Sequence, residues 1–401
     1  MDKNFLINER VYTYQDLLER INKKEKLSNF VYSEELFEVY VQIIKLLLSG
    51  YSPVLFDGNF SKNEFLEYSK TLEQIEINSD FEFENIDEYK TAILNTFKKT
   101  NLGMTLFTSG TTGVPKKLYQ SLLNLARNVK IYPFHQCWGL CYNPTHMAGV
   151  QVLLQVIYNF STIVDLRNSN RYTLLQEYNV TNTSMTPTFF KINFFDSQEL
   201  SSFKTVTFGG EKVSQNILEK AEKVFPEAKI RNIYASTEAG SLFVAEGEYF
   251  VVLDSMKEKI LFKDSKLYIH ESILADGLGN VEWYDTGDIV EFLNGDESRF
   301  RFVSRDSDII NVGGYNVNPN EVESIISSSE LVKDCIVYSI DNSVLGKVLA
   351  VDIILTDNSI ENPKKYIKKY ISDNLQEWKR PMKIKFVEQI SLTRTGKKTR
   401  R

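Results

Sequence analysis

The segment LFTSGTTGVPKK, residues 106–117, carries the strongest structural signal in the chain. An apolar start typical of a strand leads into a loop of glycine, serine and threonine, followed by the positive charge of Lys116. The glycines let the backbone curl so that its N–H groups face an anion, and the hydroxyl groups add donors. The segment therefore predicts a strand, a loop suited to the triphosphate of a nucleotide, and a helix. Gly113 is followed by Val-Pro-Lys, so the loop is not of the Walker A type.

Helical and strand-like patterns alternate on both sides of this loop. Apolar residues recur at helical spacing in the stretches 33–50, 120–129, 150–158 and 213–225. Short apolar runs predict strands at 53–56, 102–107, 162–166, 205–208 and 229–234. Strands separated by helices of this length predict parallel α/β layers.

The pattern changes near residue 245. Residues 245–303 contain strand-like runs separated by turn residues, which predict a β-rich subdomain. After residue 304 the chain returns to a shorter mixture of helices and strands. We therefore expect an α/β protein with a large N-terminal domain at 1–304, made of α/β subdomains and the β-rich subdomain, and a small α+β domain at 305–401.

Composition argues against several classes of protein. The 401 residues allow two or three domains, and 47 basic against 53 acidic residues give a formal net charge of -6. A mildly acidic chain without a basic block is not typical of nucleic-acid binding, and no apolar run predicts membrane insertion. The charged N-terminal residues do not resemble a secretory signal. The three cysteines form neither a disulfide framework nor a metal quartet, which favours a reduced, cytoplasmic location.

A series of short motifs resembles the adenylate-forming (AMP-binding) superfamily, which includes acyl-CoA synthetases, peptide-synthetase adenylation domains and luciferases. The first motif is TSGTTGVPK in the loop described above. The others follow in the family's order: FGGEKVS (208–214), NIYASTE (232–238), YDTGD (284–288), SRDSD (304–308), IINVGGYNVNPNEVE (309–323) and LTRTGKK (392–398). The resemblance covers essentially the whole chain and is of the acyl- or aryl-CoA synthetase type, with some similarity to short o-succinylbenzoate–CoA ligases.

The resemblance implies a nucleotide site assembled from several motifs. Tyr234 would stack on adenine, Asp288 would accept hydrogen bonds from both ribose hydroxyls, and Arg305 matches the family's ribose-contacting arginine. The Thr237 hydroxyl would contact the α-phosphate, and Glu238 would bind Mg²⁺ as the metal ligand. The residues matched to ATP or AMP binding are Thr108, Ser109, Gly110, Thr111, Thr112, Gly113, Lys116, Gly210, Glu211, Asn232, Tyr234, Ala235, Ser236, Thr237, Asp288 and Arg305.

The same resemblance implies residues for catalysis and acyl transfer. Lys397 matches the family's catalytic lysine, whose charge would offset the negative charge that builds as a carboxylate attacks the α-phosphate. The other matched residues are Thr108, Glu238 and His146 in the catalytic set, Ser307 at the hinge, and Gly313, Gly314 and Tyr315 along a channel for the pantetheine of coenzyme A.

Three positions depart from the family's motifs. Ala235 and Ser304 each replace a glycine, and Ser307 replaces the aspartate or lysine that usually forms the hinge. These changes leave the order and spacing of the motifs unaltered.

The resemblance implies a reaction in two steps. ATP and a small carboxylic acid would form an acyl-adenylate, and a thiol, most often that of coenzyme A, would then displace AMP while the small C-terminal domain rotates. Residues 135–150 contain no Asp or Glu, which argues against an α-amino acid, and His146 matches a gating position of acyl- and aryl-CoA synthetases. Two alternatives stay open: transfer to a carrier-protein pantetheine or an amine, and a degenerate nucleotide-binding regulatory protein.

Overall fold

The computed structural model describes residues 3–57, 62–70, 72–108, 116–245, 247–276, 278, 281–312, 315–342, 346–357, 359, 361–392, 398 and 400. The chain divides into two compact units. The first comprises residues 1–248 and 270–282, and the second comprises residues 249–269 and 283–401. The predicted domain boundary at 304/305 marks the start of the C-terminal domain that would rotate between the reaction steps. This boundary stays a prediction.

The strands follow one another along the chain with these bounds: β1 (Asn4–Ile7), β2 (Val11–Thr13), β3 (Glu25–Ser28), β4 (Phe30–Val31), β5 (Val54–Leu55), β6 (Glu76–Ser79), β7 (Gly103–Thr108), β8 (Lys116–Ser121), β9 (Cys137–Leu140), β10 (Thr162–Asp165), β11 (Asn182–Met185), β12 (Thr205–Gly209), β13 (Lys229–Ser236), β14 (Gly240–Ala245), β15 (Phe250–Val251), β16 (Ile260–Lys263), β17 (Lys266–His270), β18 (Trp283–Leu293), β19 (Asp296–Arg305), β20 (Ile310–Val312), β21 (Tyr315–Val317), β22 (Val332–Asn342), β23 (Gly346–Leu355) and β24 (Lys383–Phe386).

The α-helices have these bounds: α1 (Tyr14–Asn22), α2 (Leu36–Leu48), α3 (Lys62–Ser69), α4 (Ile86–Thr96), α5 (Leu122–Leu125), α6 (Met147–Asn159), α7 (Arg171–Glu177), α8 (Pro187–Asn193), α9 (Gln215–Val224), α10 (Pro319–Ser327) and α11 (Pro363–Asn374). Within the described residues, no helix is both long and apolar enough to cross a membrane.

An eight-stranded sheet organises the first unit, in the order β14-β13-β12-β11-β9-β10-β1-β2. The strands from β13 to β1 run parallel, and β14 and β2 pair antiparallel at the two edges. Successive strand residues point to opposite faces, so Ile163 packs into one hydrophobic core and Val164 into another. This layering on both faces confirms the predicted α/β class.

Helix α2 forms the centre of one of these cores. It is apolar around most of its circumference, and ten of its thirteen residues are buried, as expected for an internal helix. One of these ten is Lys45, whose ammonium donates to Glu25 at 2.7 Å and to the Lys23 carbonyl at 2.6 Å. A second sheet of this unit has the order β4-β5-β7-β8.

The prediction of a helix over 120–129 is wrong at its start. Residues 116–121 form β8, which pairs antiparallel with β7, so the predicted phosphate loop joins two strands and not a strand to a helix. Only Leu122–Leu125 is helical there. A Cβ on Gly103 would lie 2.3 Å from the Gln120 carbonyl oxygen, so the missing side chain lets β8 pair closely with β7.

The second unit contains most of the predicted β-rich segment and the α+β segment. The first is a five-stranded sheet in the order β15-β19-β18-β17-β16. The second is a sheet in the order β22-β23-β24, on which α10 and α11 pack through Val322, Ile326, Ile367 and Ile371. Both segments form as expected from their sequence patterns.

Candidate active site

The carboxyl ends of β9, β11, β12 and β13 lie side by side at one edge of the eight-stranded sheet. Open parallel sheets bind ligands in the loops at this edge. The matched residue His146 follows β9, and two predicted motifs also fall here: 208–214 around the end of β12 and 232–238 at the end of β13. The fold therefore brings together motifs that are far apart in the sequence.

The turn after β12 is fixed by several contacts. Gly210 has φ +83°, a conformation that side chains rarely adopt, which explains the glycine. Glu211 accepts a hydrogen bond from the Thr188 N–H at 3.0 Å, at the start of α8. Tyr142 donates its hydroxyl to the Gly209 carbonyl at 3.3 Å. The structure thus gives Glu211 a helix-capping contact, and its place beside adenine stays a prediction.

The motif 232–238 bends as β13 ends. The pairing of β13 with β14 shifts register between Tyr234 and Ala235, the position where the family has glycine. The ring of Tyr234 lies 5.8 Å from the ring of Phe243 on β14. Asn232 is buried and donates its side-chain amide to the Gly247 carbonyl at 3.3 Å. The bulge redirects the strand just before the residues predicted to meet phosphate.

The backbone of Thr237 and Glu238 is held by two hydrogen bonds. Gln120 of β8 donates to the Thr237 carbonyl at 2.7 Å, and the Ala275 N–H donates to the Glu238 carbonyl at 2.6 Å. The neighbouring Ser236 hydroxyl accepts a hydrogen bond from the backbone at 3.2 Å. The side chains of Thr237 and Glu238 remain partly exposed, as a phosphate or metal ligand requires.

His146 contacts an acidic residue that the sequence analysis missed. Its Nε2 lies 3.2 Å from Oδ2 of Asp57, whose side chain is 2% exposed. The His146 Nδ1 atom is buried and has no hydrogen-bond partner among the described residues. Asp57 follows the apolar run around β5, and an acidic residue directly after such a strand is the signal that could point to it.

The turn before α6 packs closely against its own helix. A Cβ on Gly149 would lie 2.0 Å from the Asn143 carbonyl oxygen and 2.8 Å from Cα of Pro144. The Asn143 side chain accepts hydrogen bonds from the Thr145 N–H at 3.0 Å and from the Thr145 hydroxyl at 2.9 Å. Glycine at 149 therefore allows the tight turn that places His146 at the start of α6.

Three other polar residues on and near β9 have structural environments in the protein interior. Cys141 is buried, and burial raises the pKa of its thiol to about 12. Burial likewise raises the pKa of Cys137 to about 12 and lowers the pKa of His135. His135 Nε2 lies 3.0 Å from the Thr162 hydroxyl. These side chains have the environment of structural groups, and neither thiol is poised to act as a nucleophile.

In the second unit, Asp288 on β18 and Arg305 on β19 face each other across the antiparallel pair. Arg305 Nε donates to Asp288 Oδ1 at 2.8 Å, and the Asp288 side chain is 7% exposed against 53% for Arg305. Gly287 has φ +69°, and the Thr286 hydroxyl accepts a hydrogen bond from the Asp288 N–H at 3.1 Å. The structure thus joins the two residues predicted to contact ribose.

The predicted hinge forms a short 3-10 turn at Asp306–Asp308. Asp306 makes an ion pair with Lys266, and Asp308 lies 3.7 Å from a guanidinium nitrogen of Arg400. Ser307 lies between these two charged residues, and its side chain is outside the described part of the chain. Its role as a hinge stays a prediction.

The predicted pantetheine channel is described only at Tyr315. The ring of Tyr315 stacks on Trp378 with centroids 4.8 Å apart, and Tyr315 is exposed. Gly313 and Gly314 lie outside the described residues.

Most of the predicted phosphate loop also lies outside the described residues. Thr108 ends β7 and Lys116 begins β8, and these two residues pair, so the ends of the loop meet. The side chains of Thr108 and Lys116 are not among those described. The residues wholly outside the description are Ser109, Gly110, Thr111, Thr112 and Gly113 of the loop, and the predicted catalytic lysine Lys397.

The role of Glu238 as an Mg²⁺ ligand stays a prediction. Its carboxylate is partly exposed at the carboxyl edge of the sheet. Proteins that bind Mg²⁺ with a nucleotide use one or two carboxylates together with phosphates and water. Among the described residues there is no group of three or more His, Cys, Asp or Glu that could hold a metal ion. One exposed carboxylate fits an Mg²⁺ that arrives with ATP.

Comparisons with known proteins agree with this arrangement. The chain is 23% identical over 76% of its length to a 2-succinylbenzoate–CoA ligase of Staphylococcus epidermidis, of which it covers 70%, and 28% identical over 76% to one of Listeria monocytogenes, of which it also covers 70%. The solved o-succinylbenzoate coenzyme A synthetase of Bacillus subtilis, in complex with its acyl-adenylate intermediate, shares the fold at a TM-score of 0.71 and 18% identity, over 99% of this chain and 94% of that one.

Family models match both parts of the chain. The model of the AMP-binding enzyme matches residues 52–259, and the model of the AMP-binding enzyme C-terminal domain matches residues 321–397. With the motifs gathered at the edge of the sheet and on the β18–β19 pair, these matches show that the chain belongs to the AMP-binding enzyme family.

Proposed function

We propose that this chain is an acid–thiol ligase. It uses ATP to convert a carboxylic acid to an acyl-adenylate and then transfers the acyl group to the thiol of coenzyme A. Membership of the AMP-binding family supports the adenylating class. The observation that carries the proposal is the 2.8 Å contact between Asp288 and Arg305, because the family resemblance matches both residues to the ribose of ATP.

In the first step, a carboxylate oxygen of the acid attacks the α-phosphorus, the bond to the bridging oxygen breaks, and pyrophosphate leaves. Lys397 and Lys116 offset negative charge on the phosphates, and the Thr237 hydroxyl donates to the α-phosphate. Glu238 would hold Mg²⁺, and the ion would supply positive charge to shield the phosphates. The protein contributes mainly by positioning and neutralising groups.

In the second step, the sulfur of coenzyme A attacks the acyl carbon and the carbon–oxygen bond to AMP breaks. AMP leaves, and the thiol proton passes to solvent. Gly313, Gly314 and Tyr315 line the path of pantetheine, and the domain at 305–401 turns about Ser307 between the steps.

The acid in this proposal is not an α-amino acid. Residues 135–150 offer no carboxylate to hold an α-ammonium group, and the carboxylate of Asp57 faces His146. Because two relatives carry the name 2-succinylbenzoate–CoA ligase, aryl acids of this kind are the first compounds to test.

The setting of the reaction follows from its substrates. We place it in the cytoplasm, where ATP and coenzyme A are available, and expect no nucleic-acid partner. The pantetheine of a carrier protein ends in the same thiol as coenzyme A, so it is the competing acceptor in the test.

The test is pyrophosphate release with ATP and Mg²⁺ across a panel of aryl, fatty and short-chain acids. We expect at least one acid to give release, and coenzyme A to increase the rate and yield a thioester. Turnover only with a carrier protein would show that the acyl acceptor is the pantetheine of the carrier protein and not coenzyme A. ATP binding without release for any acid would contradict the ligase.

A further inference from the structure

Two cationic side chains, Lys398 and Arg400, contact other parts of the second unit, to which they belong. Leu392 and Lys398 form an antiparallel bridge, so the chain on either side of 393–397 is brought together. Lys398 and Arg400 then contact carboxylates on β22 and α10.

Lys398 is held in a polar site at the start of β22. Its ammonium donates to Asp334 at 2.6 Å and to the Cys335 carbonyl at 2.8 Å. The two side chains of the ion pair are 17% and 9% exposed, which is unusual for a lysine in a basic tail. Burial lowers the pKa of Lys398, but the charges of Asp334 and Glu323 outweigh burial and keep it above its ordinary value.

Arg400 makes a second set of contacts two residues further on. Its guanidinium donates to Glu323 at 2.9 Å, to the Asn320 side chain at 2.5 Å and to the Val337 carbonyl at 3.1 Å. It also lies 3.7 Å from Asp308 in the predicted hinge turn. Because α10, β22 and the hinge turn all meet this one side chain, the tail is fixed at more than one point.

The two anchors lie next to the residue predicted to catalyse the first step. Lys397 directly precedes Lys398 in the sequence. We propose that Lys398 and Arg400 are positioning residues that fasten this part of the chain to β22 and α10, and so set Lys397 for the adenylation step. The proposal rests on the proposed function.

The test compares Lys398→Met in the full-length chain with Lys385→Met as a matched control. Lys385 is exposed on β24 of the same unit, and its side chain has no ion pair or hydrogen bond among the described residues. Both half-reactions are measured: pyrophosphate release from ATP and acid, and thioester formation from supplied acyl-adenylate. A catalytic group displaced by about 1 Å can lose about 100-fold in rate.

We expect Lys398→Met to lower the first half-reaction about 100-fold and the second less than about threefold, and Lys398→Arg to recover most of the loss. Lys385→Met should match the wild type in both. Equal losses in both half-reactions, or no loss in the first, would overturn the positioning role. Asp334→Asn keeps an oxygen acceptor without the charge and should give the same selective loss, so it replaces Lys398→Met if that variant does not fold.

Hydrogen–deuterium exchange separates this proposal from the proposed function. Amides around Leu392 should exchange faster in Lys398→Met than in the wild type or Lys385→Met, whether or not an acid substrate is known. Unchanged exchange would refute the anchor. Faster exchange in a protein that turns over no acid would leave the anchor in place and reject the ligase.

Discussion

Replacing Gly149 with alanine tests how the turn before α6 positions His146. The new Cβ would lie 2.0 Å from the Asn143 carbonyl oxygen, so that backbone must retreat by about 1 Å to reach 3.0 Å, below which real Cβ contacts are essentially never found. Overpacking against backbone lowers the free energy of unfolding by about 3 kcal/mol. The better helix propensity of alanine raises it by about 1 kcal/mol. We therefore expect a net loss of about 2 kcal/mol.

Thermal unfolding and acid-dependent pyrophosphate release measure the two consequences. A loss of about 2 kcal/mol lowers the midpoint by about 4–8 °C in a unit of this size. Because the turn carries His146, kcat/KM for the acid should also fall about 10- to 100-fold. Gln151→Ala, further along the same helix, is the control and should change the midpoint by less than about 2 °C. A Gly149→Ala midpoint within about 1 °C of the wild type would refute the reasoning.

Further predictions concern single groups. Lys397→Ala should suppress pyrophosphate release far more than thioester formation from supplied acyl-adenylate, because its charge matters in the first step; equal losses would argue against this role. Glu238→Gln should raise the Mg²⁺ concentration for half-maximal rate about tenfold or more, measured by metal titration, and an unchanged requirement would remove Glu238 as ligand. Asp288→Asn should raise KM for ATP about 10- to 100-fold, since a charged hydrogen bond contributes about 1.5–3 kcal/mol; an unchanged KM would contradict contact with ribose. Because burial raises the pKa of Cys141 and Cys335 to about 12, both thiols stay protonated in the folded protein, and thiol reagents at pH 8 should label them only after unfolding; labelling in the native state would contradict their burial.

Sequence patterns predict the fold well where the signal is local. Helix α2 follows directly from its apolar residues, and the β-rich segment follows from its alternation. The predicted helix over 120–129 is wrong at Gln120 and Ser121, which belong to β8. The pairing of β8 with β7 depends on Gly103, which lies outside the window that sets helical spacing. A remote glycine that allows close backbone approach leaves no signal in the segment it affects.

In the candidate site, too, contacts between remote segments could not be predicted from local sequence patterns. Motif resemblance identifies Asp288 and Arg305, and the antiparallel register explains why two such distant residues meet. Asp57 could be noticed as an acidic residue directly after an apolar run, but its contact with His146 could not be predicted, because that contact depends on how β5 and α6 are packed. The buried position of Lys398 is equally hidden, since a basic tail is ordinarily solvated.

In the proposed reaction, a carboxylate oxygen attacks the α-phosphorus of ATP, and this attack can be followed with an isotope. It is tested most directly with an acid that the panel identifies, labelled with ¹⁸O at both carboxylate oxygens. The acyl–oxygen bond to AMP breaks in the second step, so we expect AMP to carry one ¹⁸O atom and pyrophosphate to carry none. AMP without the label, or the formation of ADP with labelled phosphate, would contradict adenylation by this chain.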